Sequence, residues 1–287
     1  MEKFDEFLKK LKTGEIYTHG GVFHADDVMS VAVINQVCDK YRLPRPHVNR
    51  IFDQEQAKEL AKDNIVFDIG LGEYDHHQKD NEVRENGIPY AALGKIWRTV
   101  GEALVGEKIA KRIDETFIQV FDKTDNGLEP NMLSTVISMS NPNWDSDETP
   151  DDAFYKAVDL ANTILSTTIE SELSKERAEV IVQNAANEME DGIIVLEKFV
   201  PWLDYVQHNV PNANFIVFPS KRGGYNVQTV PELGEKQGKI LFPEKWLGAT
   251  DESLGMTFCH PGNFLASFET RKQAVTAAKI ATDEYSS

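Results

Sequence analysis

Residues 64–77 read Asn-Ile-Val-Phe-Asp-Ile-Gly-Leu-Gly-Glu-Tyr-Asp-His-His, so a short apolar run ends in one carboxylate and is soon followed by another carboxylate and two imidazoles. The apolar run, residues 65–67, predicts a buried strand that ends at Asp68. In α/β proteins the carboxyl ends of parallel strands open onto the crevice where ligands bind. The stretch therefore predicts a rigid strand that presents Asp68, Asp75, His76 and His77 to a ligand.

A second stretch, residues 18–27, has the same character and reads Thr-His-Gly-Gly-Val-Phe-His-Ala-Asp-Asp. A brief strand, residues 16–18, leads into it, and the nearly continuous apolar run of residues 28–37 predicts a buried helix after it. Asp26 or Asp27 would then lie at the N-terminus of this helix, where a carboxylate is favoured. Strand, loop and helix in this order predict the first unit of an α/β sheet.

The following segments extend this unit. Strands at residues 47–52 and 65–68 enclose a polar helix at residues 54–62, which predicts a parallel sheet with helices on both faces. Further helices are predicted at residues 90–104, 107–121 and 270–285, and two more within residues 153–189. After residue 191 the pattern changes to short strand-like runs, at residues 193–196, 214–218, 225–230, 256–259 and 263–268. The sequence thus predicts an α/β fold with a metal-binding domain, residues 1–190, and a smaller α/β domain, residues 191–287.

Composition limits the class of partner. The net charge of −17 opposes a broad phosphate-binding surface of the kind that tracks duplex DNA. No apolar run approaches the ~20 residues that span a bilayer, and the charged N-terminus lacks the apolar core of a signal peptide. Two distant cysteines, Cys38 and Cys259, fit a reducing compartment. We therefore expect a cytoplasmic protein without a membrane partner.

Eight polar side chains lie at the ends of predicted strands or helices: His19, His24, Asp26, Asp68, Asp75, His76, His77, and either Asp122 or Asp125 beside the turn signal Asn126-Gly127. Such a cluster would repel itself without a cation. Without paired thiolates a structural zinc site is disfavoured, and mixed imidazole and carboxylate ligands place Mn²⁺ or Mg²⁺ ahead of Zn²⁺ or Fe²⁺. The number of donors suits two ions ~3.5–4 Å apart that share one carboxylate. Zincin, deaminase, nucleophile-elbow and Walker motifs are absent from the sequence.

The order of these motifs resembles the DHH phosphoesterase superfamily, which includes RecJ-type exonucleases, oligoribonucleases and manganese pyrophosphatases. Within it, the sequence is most similar to the Myg branch, named for melanocyte proliferating gene. The matching segments cover nearly the whole chain and are residues 18–26, 74–78, 125–127, 258–264 and 270–271.

The resemblance implies a role for each candidate. His19, His24 and Asp68 would hold one ion, and Asp68 would bridge to the other. The second ion would be held by Asp26, Asp68, His76 and either Asp125 or Asp122, with Asp125 favoured because it belongs to the Asp-Asn-Gly match. Asp75 would orient His76, and His77 would contact the scissile phosphate. Substrate anions would be bound in the second domain by Arg222, His260 and Arg271.

The leading hypothesis is a phosphodiesterase in which two Mn²⁺ or Mg²⁺ ions activate a water, with Asp68, Asp75 and His77 in the catalytic centre. The resemblance implies 3′–5′ exonuclease action on RNA, and the acidic charge balance favours short single-stranded ends over duplex tracking. Two alternatives stay open: a pyrophosphatase or cyclic-nucleotide phosphodiesterase, and a metal-loaded binding protein without catalysis. The second alternative is kept because residues 264–269 lack the Gly-Gly-His stretch that exonuclease-type members often carry. The natural substrate and a possible homodimer are also left open.

Overall fold

The computed structural model describes residues 2–285 and divides the chain into two compact units, Met1–Leu173 and Ser174–Ser287. The division falls inside the long helix α8, Pro150–Asn187. The domain boundary that the sequence predicted, between residues 190 and 191, stays a prediction. The sequence also predicted two helices in this region, and that prediction is wrong because α8 runs without a break for 38 residues.

The first unit contains a three-stranded sheet in the order β2-β1-β3, with all strands parallel. Its strands are β1 (Ile16–His19), β2 (Val48–Ile51) and β3 (Ile65–Val66), and the helices that follow the chain through it are α1 (Glu2–Thr13), α2 (Ala25–Tyr41) and α3 (Gln54–Leu60). Ile16 and Ile65 join the main core with α1 and α2. Tyr17 and Val66 point to the other face, where they pack against α3. Helices therefore cover both faces of the sheet, as predicted.

The rest of the first unit is helical. Its elements are α4 (Ala92–Val105), α5 (Glu107–Ile113), a π-helical segment (Asp114–Ile118), α6 (Gln119–Asp125), α7 (Met132–Ser138) and the first part of α8. The sequence predicted one helix from residue 107 to 121. The structure continues it to Asp125 through the π-helical segment, in which each backbone hydrogen bond spans one residue more than in an α-helix. Helix α7 was not predicted.

The second unit is built on a five-stranded mixed sheet in the order β4-β5-β6-β8-β7, in which only the β4–β5 pair is parallel. The strands are β4 (Ile193–Val195), β5 (Phe215–Pro219), β6 (Tyr225–Thr229), β7 (Met256–Cys259) and β8 (Leu265–Phe268). They are accompanied by α9 (Leu203–Asn209), a 3₁₀ turn (Glu244–Trp246) and α10 (Arg271–Tyr285). Helix α10 covers one face through its alanine stripe. All the predicted strands are present, whereas α9 was missed.

Two global expectations can be compared with the structure. Within residues 2–285, none of the helices has both the length and the apolar character needed to cross a bilayer. Cys38 and Cys259 are both buried thiols that form no disulfide. The cytoplasmic location stays a prediction.

Candidate metal centre

The first half of the centre is built where β1 passes into α2. His19 is the last residue of β1, and Asp26 and Asp27 lie in the first turn of α2. The Asp27 carboxylate accepts a hydrogen bond from the backbone N–H of His24 at 2.9 Å and another from the hydroxyl of Thr18 at 2.9 Å. Its Oδ2 atom also lies 2.8 Å from Nε2 of His19. Capping of the helix therefore fixes a fully buried carboxylate against His19.

The second half is the loop that follows β3. Asp68 has a left-handed backbone conformation, with φ of +57°, and is buried. Such a conformation is strained for a residue other than glycine and persists where surrounding contacts enforce it, often at functional sites. Here the N–H of Asp68 donates to the carbonyl of Tyr74 at 3.1 Å and closes the loop. The loop thus turns the Asp68 carboxylate back toward the end of β1.

Asp75 holds the tip of this loop together. One carboxylate oxygen accepts from the N–H of Leu71 at 2.6 Å, and the other contacts Nδ1 of His77 at 2.7 Å. The sequence-based interpretation that Asp75 orients His76 is therefore corrected: its partner is His77. Hydrogen bonds to the charged carboxylate outweigh burial and hold the pKa of Asp75 at about 2.

Three groups of potential ligand atoms, each within 4.8 Å of one another, form in the described part of the chain: His19 with His24, Asp27 and Asp68; Asp68 with His76 and His77; and Asp26 with His76 and Asp125. Asp68 and His76 each belong to two groups, so the three groups are linked. The residues that the sequence assigned to the two ions therefore lie close together in the structure. Asp27 is an addition that the sequence analysis left out of the ligand set.

Two buried atoms show that a cation suits this arrangement. Nε2 of His76 lies 2.9 Å from an oxygen of Asp125 and 3.1 Å from Oδ1 of Asp68. Neither this nitrogen nor Oδ1 of Asp68 has a partner with the alignment of a hydrogen bond. Because buried polar atoms are rarely left without such partners, atoms that converge without hydrogen-bond geometry fit a common cation.

The N-terminus of α4 supports the centre from behind. Its cap residue, Ala91, has no side chain that could bind the free N–H groups of the first turn. Instead, the two oxygens of Asp26 accept from the N–H groups of Ala92 and Leu93, both at 3.0 Å. Asp122 accepts from the N–H of Gly94 at 3.1 Å. These bonds fix the orientation of Asp26, one of the grouped ligands.

The structure separates the two alternatives at the end of α6. Asp125 contacts His76, as described above. Asp122 is fully buried and lies 2.7 Å from the guanidinium of Arg84, which also pairs with Asp114 at 2.8 Å. Its carboxylate belongs to none of the ligand groups among the described residues. The proposal of Asp122 as a ligand is corrected accordingly, because this carboxylate already serves Arg84 and the start of α4.

The excess of carboxylates changes the proton affinity of the centre. Burial alone would lower the pKa of His19, but the carboxylates of Asp27 and Asp68 outweigh it and raise this pKa to about 11. The pKa of His76 rises to about 11 in the same way, because Asp125 and Asp68 outweigh burial. Burial and the neighbouring carboxylates raise the pKa of Asp26. Without a metal the centre therefore gathers protons, which divalent cations would replace.

The centre opens into a cavity of about 450 Å³. Five residues of the metal groups line it: His24, Asp26, His76, His77 and Asp125. Two serines of α7, Ser134 and Ser138, line it as well. Because α7 was absent from the predicted elements, these two lining residues were missed.

The three substrate residues predicted in the second unit do not form one cluster. Arg222 lies in the turn before β6, near the end of β8. His260 follows β7 and pairs with Leu265 at the opposite end of the β7–β8 hairpin. Arg271 begins α10 and forms an ion pair with Glu197 at 2.9 Å. A single anion site made of all three is therefore not formed within this unit, and their individual roles stay predictions.

Comparison with known proteins finds one matching sequence family and several relatives that carry the name MYG1. Residues 15–282 match a sequence family that is designated MYG1_exonuc and described as an uncharacterised protein family, UPF0160. A rat protein named MYG1 exonuclease is 26% identical over 324 aligned positions, which cover 92% of this chain and 83% of the relative. Human MYG1 exonuclease is 25% identical, with 94% and 86% covered. The MYG1 protein YER156C of Saccharomyces cerevisiae is also 25% identical, with 95% and 97% covered.

One solved structure shows a distant likeness. It is RecJ from Thermus thermophilus, crystallised in complex with Mn²⁺, at a TM-score of 0.31 and 12% identity. The alignment covers 99% of this chain and 54% of the RecJ chain.

Proposed function

Because this chain belongs to the MYG1 family, in which the rat and human relatives are named exonucleases, we propose that it is a metal-dependent exonuclease. The observation that carries the proposal is the linked set of ligand groups that share Asp68 and His76. Exonucleases cleave phosphodiesters, and carboxylate and imidazole ligands of this kind hold the divalent ions used for that chemistry.

We assign the ligands by their groups. His19, His24, Asp27 and Asp68 would hold the first ion, and Asp26, His76 and Asp125 would hold the second with Asp68 as the bridge. When bound, two such ions supply an acidified water and a counter-charge for the phosphate. Mn²⁺ is the first choice and Mg²⁺ the second, since the ligands mix imidazole nitrogens with carboxylate oxygens.

The remaining residues act on the substrate. His77 is more than half exposed, and its Nδ1 is held by Asp75, so its Nε2 is available to a phosphate oxygen. The orientation is fixed before the substrate arrives, because Asp75 is itself fixed by the N–H of Leu71. Ser134 and Ser138 also line the cavity and bring hydroxyl groups to it.

The substrate that we propose is the 3′ end of a short single-stranded RNA. A cavity of about 450 Å³ has the size of a small-ligand pocket and suits a chain end rather than a duplex. The net charge of −17 also opposes tracking along a duplex. The direction of cleavage and the preference for RNA rest on the resemblance of the motifs alone.

The test uses purified protein with Mn²⁺, Mg²⁺ or a chelator, and short RNA and DNA strands labelled at either end. We expect stepwise shortening from the 3′ end of RNA, dependent on the metal. Asp68→Ala should abolish it, whereas Asp63→Ala, which removes an exposed carboxylate just before β3, should not. Cleavage that persists without Asp68 refutes the mechanism. Phosphate release from pyrophosphate, with all strands intact, would instead identify a small-phosphate hydrolase.

A further inference from the structure

One face of the second sheet is buried at β5 but partly exposed from β6 onward. Side chains of directly paired residues in adjacent strands lie on the same face. One such row runs from Phe218 through Asn226 and Ser267 to Phe258, across β5, β6, β8 and β7. Phe218 is buried in the core that α8 and α9 form over β4 and β5. Asn226, Ser267 and Phe258 are partly or largely exposed.

The next row repeats the change. Ile216 of β5 is fully buried, while its neighbours in the row, Gln228 of β6 and Leu265 of β8, are only half-buried. His260 pairs with Leu265 through the backbone, and its ring contacts that of Phe264. We call these residues of β6, β8, β7 and the adjoining turn the aromatic face: Asn226, Gln228, Phe258, His260, Phe264, Leu265 and Ser267.

Three rings dominate the aromatic face. Phe258 and Phe264 are 42% and 41% exposed, which is unusual for two phenylalanines that share a neighbour. The ring centroid of His260 lies 4.3 Å from that of Phe264 and 6.0 Å from that of Phe258. The N–H of Gly262 donates to Nδ1 of His260 at 2.9 Å and fixes the central ring. The three rings thus form a preorganised group that remains open to a ligand.

Polar groups adjoin the rings. The hydroxyl of Ser267 donates to Oδ1 of Asn226 at 2.8 Å, which directs the amide nitrogen of Asn226 away from Ser267. Gln228 adds a second amide on the same strand, two residues further on. Amides of this kind can donate to and accept from the edges of nucleobases.

The charge of the aromatic face distinguishes it from the rest of the chain. None of its seven side chains is a carboxylate, although the chain has 47 acidic residues and a net charge of −17. A polyanion is therefore not repelled by carboxylates among the side chains of this face. A self-association surface would instead be expected to be continuously apolar at its centre.

We propose that the aromatic face binds one or more bases of a single-stranded nucleic acid, by stacking on Phe258, His260 or Phe264 and by hydrogen bonds to Asn226 or Gln228. Base-stacking on exposed rings, with amides at the base edges, is how single strands are bound on open sheets. The inference rests on the proposed nuclease function and extends it, because it gives the substrate a base-recognition surface in addition to the metal centre.

Binding can be measured apart from cleavage. The full chain with Asp68→Asn, which blocks hydrolysis, is titrated into a labelled short RNA and into a labelled abasic strand of equal length. Phe258→Leu and Phe264→Leu keep apolar bulk but remove a ring. Each should weaken binding of the base-bearing strand about tenfold, the effect of one lost stack, and leave the abasic strand within about twofold. Tyr285→Leu, which removes an exposed ring from α10 on the other side of the sheet, should change neither.

Each outcome has one meaning. Equal weakening on both strands, no weakening on either, or no preference for the base-bearing strand overturns the inference. A dimer that dissociates in Phe258→Leu, with RNA binding unchanged, overturns it in favour of a second copy of the chain. Base-dependent binding by a protein that never cleaves RNA would support the inference and refute the proposed exonuclease function. Unfolding curves of the leucine variants that match the parent exclude misfolding.

Discussion

The candidate metal centre and the aromatic face treat charge in opposite ways. In the centre, Asp26, Asp27 and Asp68 are no more than 4% exposed and are fixed by backbone N–H groups or imidazoles. On the aromatic face, Phe258 and Phe264 are more than 40% exposed, and no carboxylate accompanies them. Buried like charges need a cation, and each ligand then depends on the others. Exposed rings contribute to binding separately. We therefore expect the loss of one ligand in the centre to remove most of the metal affinity, and the loss of one ring on the aromatic face to lower nucleic-acid affinity only in part.

The largest effect is expected at Asp125. Asp125→Ala should weaken Mn²⁺ binding by more than about 100-fold, since even the loss of a residue that only orients a ligand costs about 10–100-fold. Titration calorimetry of the metal-free protein measures it. The control is Glu129→Ala, which removes an exposed carboxylate that pairs with Lys123. If Asp125→Ala retained Mn²⁺ binding, the centre would tolerate the loss of one ligand. It would then not differ from the aromatic face in its response to single substitutions.

Asp27 tests whether the first ligand group has a fourth member. Asp27→Asn should weaken Mn²⁺ binding by about 10–100-fold, because the amide replaces a carboxylate oxygen 2.8 Å from Nε2 of His19. The matched control is Asp53→Asn, since Asp53 also caps a helix, α3, through the N–H of Gln56. If Asp27 is only a helix cap, both variants will lose a similar, small free energy of unfolding and neither will lose metal affinity.

Asp27 also shows which feature of the centre could not be predicted from the sequence. The strands, the buried helix and the position of ligands at their ends could be predicted, because each follows from local hydrophobic pattern. Asp26 and Asp27 are neighbours at a helix start, and the pattern does not say which way each carboxylate points. In the structure one caps α4 and the other faces His19.

The other differences have similar physical causes. Asp122 and Asp125 lie one helical turn apart, and the π-helical segment before them alters the helix phase that a 3.6-residue period assumes. Helix α7 was missed because apolar residues such as Met132 and Val136 are exposed, so the apolar pattern does not mark the side that buries Ile137. The partner of Asp75 depends on the conformation of a loop, which periodicity does not describe.

The third prediction concerns protons. His19 and His76, with pKa values of about 11 in the metal-free chain, carry protons at neutral pH that metal binding must displace. Mn²⁺ affinity should therefore rise with pH between about pH 6 and 8, by about tenfold per pH unit for each proton released. Calorimetry in buffers of different ionisation enthalpy counts these protons. RNA binding on the aromatic face, measured without metal in the Asp68→Asn protein, should not show this increase. If Mn²⁺ binding and RNA binding had the same pH profile, the proposed difference between the metal centre and the aromatic face would be wrong.

The smallest effect on metal binding is expected at Gly94, where stability and binding can be separated. A Cβ atom at this position would lie 2.0 Å from Oδ2 of Asp122 and 2.7 Å from Nη2 of Arg84. Gly94→Ala should therefore lower the free energy of unfolding by about 1–3 kcal/mol, as overpacking does. Urea unfolding measures the loss, and Gly72→Ala, whose Cβ would meet its nearest neighbour at 3.6 Å, is the control.

Mn²⁺ affinity of the folded Gly94→Ala protein should fall by less than the loss in Asp27→Asn, because the altered contact involves Asp122 and Arg84 rather than a ligand. A larger fall would show that the N-terminus of α4 transmits strain to Asp26, which accepts the adjacent N–H groups. The Asp122–Arg84 pair would then belong to the binding apparatus as well as to the core. Metal affinity would then depend on residues that are not ligands themselves. This would enlarge the difference from the aromatic face, whose rings act separately.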